Sequence, residues 1–427
     1  MAVRAFGITL LLVAAAALTL VLPEPRAAES GVAWILELEG SIGPASEDYI
    51  GRALDKAAEQ GVALLVLRMD TPGGLDTSMR AIIKRINASA VPVAVFVAPS
   101  GARAASAGTY LLYAAHIAAM APGTNLGAAT PVQIGGLPSP EQSGDEGDRS
   151  GEPATPTTAG MKQKLVNDAV AYLRGLAEMR GRNTDWAEKA VREAASLPAR
   201  EALELGVIDL MAADVPELLR SIDGRRVSVL GQERLLRTGD LRQESVPPDW
   251  RNRLLAIVSN PNIAYVLMLI GIYGLIYEFS NPGAVLPGTV GGICLLLALY
   301  AFHLLPVNYA GVALLVVGLG LMVAEALVPS FGALGIGGML AFLIGSVILI
   351  DTDAPGYGIA LPLILSVTLV LGLAVVLTIS LALKARGRPV VSRRTSRGEE
   401  KESVQEEDAE GKQTNTGKEE DKEEGED

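Results

Sequence analysis

Short apolar runs alternate with segments of helical spacing over residues 32–222. The apolar runs predict strands at Val32–Leu38, Val62–Leu67 and Val93–Val97. Helical spacing lies between them at Tyr49–Ala58 and around Met79–Ile86. Strands separated by helices of this length are typical of right-handed βαβ units, so the pattern predicts a mostly parallel sheet.

A polar segment from Pro131 to Gly160 interrupts this alternation. It is rich in Pro, Gly, Ser, Thr and acidic residues and has few apolar side chains, so we interpret it as a mobile loop. Helical spacing then resumes at Lys162–Met179, Trp186–Ala195 and Ala199–Leu205. Residues 29–222 are therefore predicted to form one α/β domain, and residues 223–258, which carry a hairpin pattern, a connector.

Five apolar runs follow the connector and predict an all-α, multi-span transmembrane domain over residues 259–385. They are Ile263–Ile276, Val285–Leu305, Val307–Val328, Leu334–Ile350 and Ile359–Leu383. A helix that crosses a bilayer needs about 20 apolar residues. Because the first and fourth runs are shorter than that, four spans are the alternative to five.

The two ends of the chain predict its orientation in the membrane. Residues 1–28 have the pattern of a signal peptide or N-terminal anchor, since Arg4 precedes the apolar run Phe6–Leu22. Six basic residues follow the last apolar run, against Arg251 and Arg253 just before the first; the six are Lys384, Arg386, Arg388, Arg393, Arg394 and Arg397. The positive-inside rule therefore places residues 386–427 in the cytoplasm. An exported domain with a cytoplasmic tail requires an odd number of spans, which favours five.

Composition narrows the classes of function. The chain has 427 residues, a length that predicts two or three domains. Of these residues 49% are hydrophobic, and the mean hydropathy is +0.33. Cys294 is the single cysteine and there are two histidines, so neither a disulfide framework nor a cysteine or multi-histidine metal site is expected. The net charge of −12 lies mostly in Glu399–Asp427, which predicts a C-terminal disordered tail and argues against a nucleic-acid-binding face.

A serine surrounded by small residues follows the third predicted strand. Ser106 stands between Ala105 and Ala107, which leaves room for a close approach of backbone and substrate. If a helix begins there, its free N–H groups favour negative charge developing at the serine. The alternative is a helix of small residues that only packs against the sheet.

The turn Pro72-Gly73-Gly74 follows the second predicted strand. Glycines in this position can turn a backbone N–H into a cleft, as an oxyanion hole requires. The N–H of Ala107, directly after the serine, is a second candidate donor. Together these features predict a nucleophilic Ser106 with an oxyanion hole formed by Gly73, Gly74 and Ala107.

A nucleophilic serine needs a base. His116 precedes a strand pattern and is interpreted as structural, while His303 lies within an apolar run. A lysine whose pKa is lowered by burial can serve instead as a neutral base, and Lys162 and Lys164 begin the helix after the polar segment. Ideal helical geometry puts Lys162 on the apolar face and Lys164 on the opposite side, so periodicity alone favours Lys162.

Further motifs surround these residues and continue into the apolar region. They are Asp70-Thr71-Pro72-Gly73-Gly74, Ala105-Ser106-Ala107-Gly108-Thr109, Met120-Ala121-Pro122-Gly123-Thr124-Asn125-Leu126-Gly127, Asn167-Asp168, Arg180-Gly181-Arg182-Asn183, Gly206-Val207-Ile208-Asp209, Glu325-Ala326 and Pro329-Ser330-Phe331-Gly332. In these motifs the chain resembles the NfeD family, membrane-bound serine proteases of the ClpP class that are related to signal-peptide peptidase A. The resemblance covers roughly residues 30–385.

The resemblance implies an α/β ClpP/crotonase-like domain, a Ser-Lys dyad and no cofactor. The family's serine maps onto Ser106. Its lysine precedes an apolar residue, one variable position and an asparagine, which matches Lys164-Leu165-Val166-Asn167. We therefore expect Lys164 to be the general base, with Lys162 in reserve. The resemblance also implies a stomatin- or prohibitin-like membrane protein as substrate or partner, and we expect a homo-oligomer.

The leading hypothesis is a membrane-bound serine endopeptidase that cleaves hydrophobic segments of membrane-associated proteins on the extracytoplasmic side. The alternative is a catalytically idle scaffold that organises stomatin-like partners. Acyl-CoA chemistry on the related crotonase fold fits poorly with export, because CoA is cytoplasmic. Glu325, near the end of a predicted span, is either functional or a helix-end carboxylate that reaches water.

Overall fold

The computed structural model describes residues 31–131 and 157–386, apart from residues 282, 284, 329, 331, 351 and 353–355. The predicted signal or anchor, the acidic tail and most of the predicted loop lie outside these residues. The described end of that loop differs from the prediction, because residues 157–160 already form the first turn of a helix.

A parallel sheet of six strands forms the centre of the α/β domain. Its strands are β1 (Val32–Glu39), β2 (Leu64–Asp70), β3 (Val93–Val97), β5 (Ile117–Met120), β8 (Leu210–Met211) and β11 (Arg242–Ser245), in the spatial order β11-β1-β2-β3-β5-β8. A second sheet of three short strands consists of β4 (Arg103–Ala105), β6 (Asn125–Gly127) and β7 (Ser196–Pro198). The hairpin expected after residue 222 is formed by β9 (Arg226–Val229) and β10 (Gln232–Leu235).

Eight helices of the described chain precede the apolar region. They are α1 (Pro44–Glu59), α2 (Asp76–Asn87), α3 (Ala107–Ala114), α4 (Thr157–Arg180), α5 (Thr184–Arg192), α6 (Ala199–Glu204), α7 (Val215–Ser221) and α8 (Trp250–Val258). The strands and helices predicted from the alternating pattern are all present, with ends that differ by a few residues.

Successive residues of the central strands face opposite sides of the sheet, and both sides are buried. In β3, the side chains of Val93, Val95 and Val97 join a large core with α1–α5. Ala94 and Phe96 join a smaller core with α7 and the hairpin. Burial on both faces explains why the central strands are continuous apolar runs rather than alternating ones.

Strand β11 comes from the segment predicted to be a connector. Arg242–Ser245 pair in parallel with Val32–Ile35 of β1, so the sheet extends past the predicted boundary at residue 222. The chain then forms α8, whose N-cap is Asp249. The α/β domain therefore includes most of the predicted connector.

Five apolar helices follow, close to the five predicted apolar runs. They are α9 (Pro261–Ser280), α10 (Val285–Leu304), α11 (Tyr309–Leu327), α12 (Ala333–Ile348) and α13 (Leu361–Arg386). Among the described residues, α9 and α10 are long and apolar enough to cross a membrane, and shorter apolar stretches lie in the other three helices. The chain divides into two compact units, one of Val317–Leu340 with the residues from Val367 onward, the other of everything else.

Glu325 is fully buried at the end of α11, which differs from the expectation of a carboxylate that reaches water. Its oxygens accept hydrogen bonds from Nα and Oγ of Ser330 and from the N–H groups of Gly332, Leu334 and Gly335, at 2.6–3.2 Å. The carboxylate thus holds the connection between α11 and α12 in place, and it accepts hydrogen bonds from the N–H groups at the start of α12 that have no partner within the helix.

Candidate functional site

Ser106 lies at the junction between β4 and α3 in a backbone conformation that is rare for a residue with a side chain. Its φ and ψ are 51° and −116°, and it is the N-cap residue of α3. Its side chain is partly exposed. Strained strand-to-helix turns also carry the nucleophilic serine of α/β-hydrolases, so this conformation is compatible with the predicted role of Ser106.

The glycine turn after β2 lies against this serine. A Cβ built on Gly73 would be 2.8 Å from Cβ and 3.3 Å from Oγ of Ser106, and φ of Gly73 is +120°. The N–H of Gly73 is not free, because it donates a hydrogen bond of 3.1 Å to Oγ1 of buried Thr71. The backbone of Gly73 therefore packs against Ser106. The N–H of Gly73 points to Thr71 and not to the serine.

The next N–H, that of Gly74, is differently placed. The carbonyl oxygen of Gly73 accepts a hydrogen bond of 2.8 Å from the N–H of Ile42. In a trans peptide the N–H of Gly74 points opposite to this carbonyl, away from Ile42. Within the described part of the chain, the N–H groups of Gly74 and Ala107 donate to no hydrogen-bond partner. Two of the three predicted oxyanion donors thus have no hydrogen-bond partner among the described residues.

Buried Thr109 fixes the start of α3 to the three-stranded sheet. Its Oγ1 lies 2.8 Å from the carbonyl oxygen of Ala104 and accepts a hydrogen bond of 3.0 Å from the N–H of Gly127. The N–H of Ser106 donates to the carbonyl oxygen of Gly127 at 2.9 Å. The serine backbone is therefore held from the side of β6, and the first free N–H of the helix is that of Ala107.

Two arginines neutralise the other end of α3. Nε of Arg180 donates to the carbonyl oxygen of Ala114 at 2.9 Å, and Nη1 of Arg182 donates to those of Leu112, Tyr113 and Ala115 at 2.7–3.2 Å. Arg182 is almost fully buried and pairs with Asp209 at 2.7 Å. Cations at a helix C-terminus stabilise its dipole. The Arg-Gly-Arg-Asn and Gly-Val-Ile-Asp motifs thus stabilise the helix that begins at the serine, a role that sequence reasoning missed.

Lys164 is not brought to Ser106 in this structure. Its side chain is exposed on α4, and no contact among the described residues joins it to the serine. The apolar face predicted for this helix is present, since Ala169, Leu173 and Leu176 are buried. Lys162 lies in the same helix, one turn before the half-buried Val166 of that face.

An arginine holds α4 against the helices that carry the glycine turn and the serine. Nη2 of Arg80 in α2 bonds Asp168 of α4 at 2.5 Å, and its Nε bonds Asp76 at 2.9 Å. The Arg80 guanidinium also lies 4.3 Å above the ring of Tyr172, which stacks on Tyr110 of α3. This cluster therefore holds α4 from Asp168 onward, and Lys164 lies one helical turn before the held part.

His116 lies far from the serine in the sheet. Its Nδ1 accepts a hydrogen bond of 3.2 Å from the N–H of Val93, at the amino end of β3, whereas Ser106 follows the carboxyl end. Burial, together with nearby Arg180 and Arg182, lowers the pKa of His116 to about 3. This placement agrees with the structural interpretation of His116. Among the described residues, no group of three His, Cys, Asp or Glu side chains is placed to bind a metal ion.

The fold and the site define a class of protein: an α/β domain with a serine at a strained helix start, joined to a domain of apolar helices. Comparisons with known families agree with this description for both the α/β domain and the apolar helices. The NfeD1b N-terminal domain family matches residues 32–225, and the NfeD integral membrane domain family matches residues 262–382. The chain therefore contains an integral membrane domain.

Two relatives extend this match over both domains. The chain is 33% identical over 320 residues to membrane-bound protease PH1510 of Pyrococcus horikoshii, covering 74% of this chain and 69% of that protein. It is 27% identical over 322 residues to membrane protein NfeD1b of Bacillus subtilis, covering 74% of this chain and 67% of that protein. The chain belongs to the NfeD family, and the resemblance found in the sequence is confirmed.

A solved structure is similar to the α/β domain. It is that of an alanine variant of 1510-N, described as a membrane-bound stomatin-specific protease, in complex with a substrate peptide. The sequences are 31% identical, the match covers 53% of this chain and 97% of the other, and the TM-score is 0.46.

Proposed function

We propose that the chain is a membrane-bound serine endopeptidase with a ClpP/crotonase-like α/β domain, which cleaves hydrophobic segments of stomatin-like membrane proteins. The observation that carries the proposal is the juxtaposition of Ser106 with the glycine turn. A partly exposed serine at a strained helix start lies against Gly73, and the next residue after each of these two, Gly74 and Ala107, has an N–H without a partner among the described residues. The 33% identity to a membrane-bound protease over both domains supports it.

The proposed chemistry is acyl transfer. Oγ of Ser106 attacks the scissile carbonyl carbon while the neutral amine of Lys164 accepts the hydroxyl proton. The N–H groups of Gly74 and Ala107 stabilise the oxyanion of the tetrahedral intermediate. The lysine then gives the proton to the leaving amine. A water molecule next attacks the ester carbonyl while Lys164 accepts its proton, and Lys164 passes that proton to Oγ of Ser106 as the C–O bond breaks and the carboxylic acid product leaves.

The proposal requires Lys164 to approach Ser106 when a substrate binds. Asp168 and Tyr172 already hold α4 to α2 through Arg80, so the required movement is confined to the turns of α4 before Asp168. Burial of the amine beneath a bound peptide favours its neutral form.

The proposed orientation places the α/β domain outside the cytoplasm, with five spans and a cytoplasmic tail. Two contacts support an alternating path of the apolar helices. The N–H of Ala360, just before α13, donates to Oδ1 of Asn262 in the first turn of α9 at 2.8 Å. The N–H of Asn308, before α11, donates to the carbonyl oxygen of Leu349, after α12, at 2.9 Å. Helices α9 and α13 thus begin at the same end, which an odd number of spans requires.

The test uses the full chain in lipid nanodiscs with a stomatin-like membrane protein and a fluorophosphonate that modifies active serines. We expect covalent labelling at Ser106 and cleavage of the partner, and both should vanish in Ser106→Ala. Cleavage that persists in Ser106→Ala overturns the serine mechanism.

The scaffold alternative is favoured by one observation, the exposure of Lys164 and its lack of contact with Ser106. An idle scaffold binds the stomatin-like protein without cutting it and leaves the fluorophosphonate unreacted. Binding without labelling would therefore establish the scaffold in place of the protease.

A further inference from the structure

The loop between α12 and α13 contacts the α/β domain directly behind the glycine turn. Tyr357 is buried with 7% of its surface exposed and packs on Gly43, where a Cβ would overlap Oη and lie 2.7 Å from Cζ. Gly356 packs in the same way on Oγ of Ser41. Both sides of this contact belong to one compact unit. The connection between two apolar helices therefore rests on residues Ser41–Gly43.

Ile42, in the middle of this segment, is hydrogen-bonded to the glycine turn on its other side. Its N–H donates to the carbonyl oxygen of Gly73 at 2.8 Å, and its carbonyl oxygen accepts from the N–H of Leu75 at 2.9 Å. The side chain of Ile42 is fully buried. Because the peptide between Gly73 and Gly74 is planar, the Ile42 N–H fixes the direction of the Gly74 N–H.

The contact of Tyr357 with Gly43 borders open space. A cavity of about 250 Å³ lies beside it, lined by Ser46, Ser259 and Asn260 together with Tyr357 itself. Asn260 is the N-cap residue of α9, and the Asn262 side chain two residues later holds Ala360 of the same loop. A shift of α9 or α13 can therefore move Tyr357 without meeting a packed core.

We propose that Tyr357 is a positioning residue through which the membrane domain sets the orientation of the Gly74 N–H. The order of contacts is Tyr357 on Gly43, Ile42 on the Gly73 carbonyl, and the Gly74 N–H on the opposite side of that peptide. The proposal rests on the proposed protease function. On this proposal the cleavage rate depends on the arrangement of the apolar helices. A substrate segment that binds among these helices in the membrane therefore raises the rate of cleavage at Ser106.

The test measures kcat and KM for a peptide substrate with the full chain in nanodiscs, normalised to the Ser106 sites that a fluorophosphonate titrates at completion. Tyr357→Ala should lower kcat about tenfold or more with KM within about twofold, because an oxyanion donor acts mainly in the transition state. Tyr357→Phe should lower kcat less than Tyr357→Ala does, since it removes only Oη, the atom nearest Gly43, and keeps the ring. Gly358→Ala is the matched control, because a Cβ there meets open space.

A second variant tests the order of contacts. Gly43→Ala should lower kcat as Tyr357→Ala does, because its Cβ displaces the Tyr357 ring. The double variant should be no worse than Tyr357→Ala alone. Should Tyr357→Ala not fold, Tyr357→Leu takes its place with the same expected fall in kcat.

The outcomes separate this inference from the proposed function. Wild-type protein that is not labelled at Ser106 overturns the protease. Labelled wild type with kcat unchanged in Tyr357→Ala or Tyr357→Leu overturns the positioning role alone. Additive losses in the double variant also overturn it, since the two residues would then act independently.

Discussion

The backbone of Gly73 packs directly against the side chain of Ser106, so that a Cβ at Gly73 would lie 2.8 Å from Cβ of Ser106. The two residues are 33 positions apart and come from different βα connections. They meet because parallel strands β2 and β3 are neighbours, so that their carboxyl ends open at the same edge of the sheet. Any side chain at Gly73 therefore meets the Ser106 side chain, where the proposed mechanism places the substrate carbonyl.

Gly73→Ala should accordingly lower cleavage by about 10²-fold or more, the loss expected when oxyanion geometry is destroyed. Part of any effect comes from placing alanine at φ +120°. Gly283→Ala is the matched control, because Gly283 has φ +110° and its Cβ would meet nothing within 4 Å. Equal losses of activity in the two variants would assign the effect to backbone strain.

The two lysines of the α4 start give a second prediction. Lys164→Ala should abolish cleavage as fully as Ser106→Ala, since members of a catalytic dyad act as a unit. Lys162→Ala should retain most of the activity. Cleavage rates of the three variants, normalised to the amount of folded protein, show which of the two lysines is the base. The reverse result would show that helical periodicity identifies the base and the match to the family motif does not.

Much of the α/β domain is predictable because its strands are buried on both faces and its helices are amphipathic. Strand β11 is one of several strands that are not predicted, since Arg242–Ser245 has no apolar side chain and is exposed, and hydropathy carries no signal for it. The meeting of Gly73 with Ser106 follows from the topology of a parallel sheet. The engagement of the Gly73 N–H by Thr71 and of its carbonyl by Ile42 does not, because these are contacts that no local pattern encodes.

The choice between Lys162 and Lys164 as the base also depends on contacts that no local sequence pattern encodes. Helical periodicity correctly identifies the buried face of α4 but reports only on residues within a regular helix that packs on a core. Lys164 is exposed here, and its proposed role depends on a substrate. A local pattern cannot contain that information.

The Arg80 cluster yields a third prediction. Arg80→Met should destabilise the protein by about 1–2 kcal/mol, because it removes two charge-assisted hydrogen bonds and the contact with Tyr172. It should also reduce cleavage, as α4 loses its anchor beside Lys164. Arg85→Met is a control on the same helix, since Arg85 pairs with Asp55 on the surface with both side chains more than half exposed. That variant should cost less than about 1 kcal/mol and leave cleavage unchanged.

The effect of pH on stability gives a fourth prediction. His116 has a pKa of about 3 in the folded protein, below its ordinary value, so between these two values the unfolded chain binds a proton that the folded one does not. Stability therefore rises with pH in this window and falls, by up to about 1.4 kcal/mol per pH unit, as pH drops from 6 to 4.

His116→Asn isolates this contribution, because its Oδ1 can still accept from the N–H of Val93. The fall in melting temperature between pH 6 and pH 4 should be smaller in the variant, as followed by the fluorescence of buried Trp34 and Trp186. Cleavage at pH 7 should be retained. A variant that melts as the wild type does but does not cleave would contradict the structural role assigned to His116.

The last prediction concerns the exposure of Lys164. As an exposed amine it should react readily with an amine-directed reagent such as formaldehyde with a reducing agent, measured at each lysine by mass spectrometry. When a peptide that acylates Ser106 is bound, the proposed mechanism puts the Lys164 amine beneath the peptide and beside the serine, so its modification should slow about tenfold or more. Lys84, exposed on α2, is the internal control and should react at the same rate in both states. Modification of Lys164 that is as fast in the acylated protein as in the free one would mean that this lysine stays in solvent throughout the reaction. The proton of Ser106 must then pass to another group, and protection of Lys162 in the same experiment would identify that group.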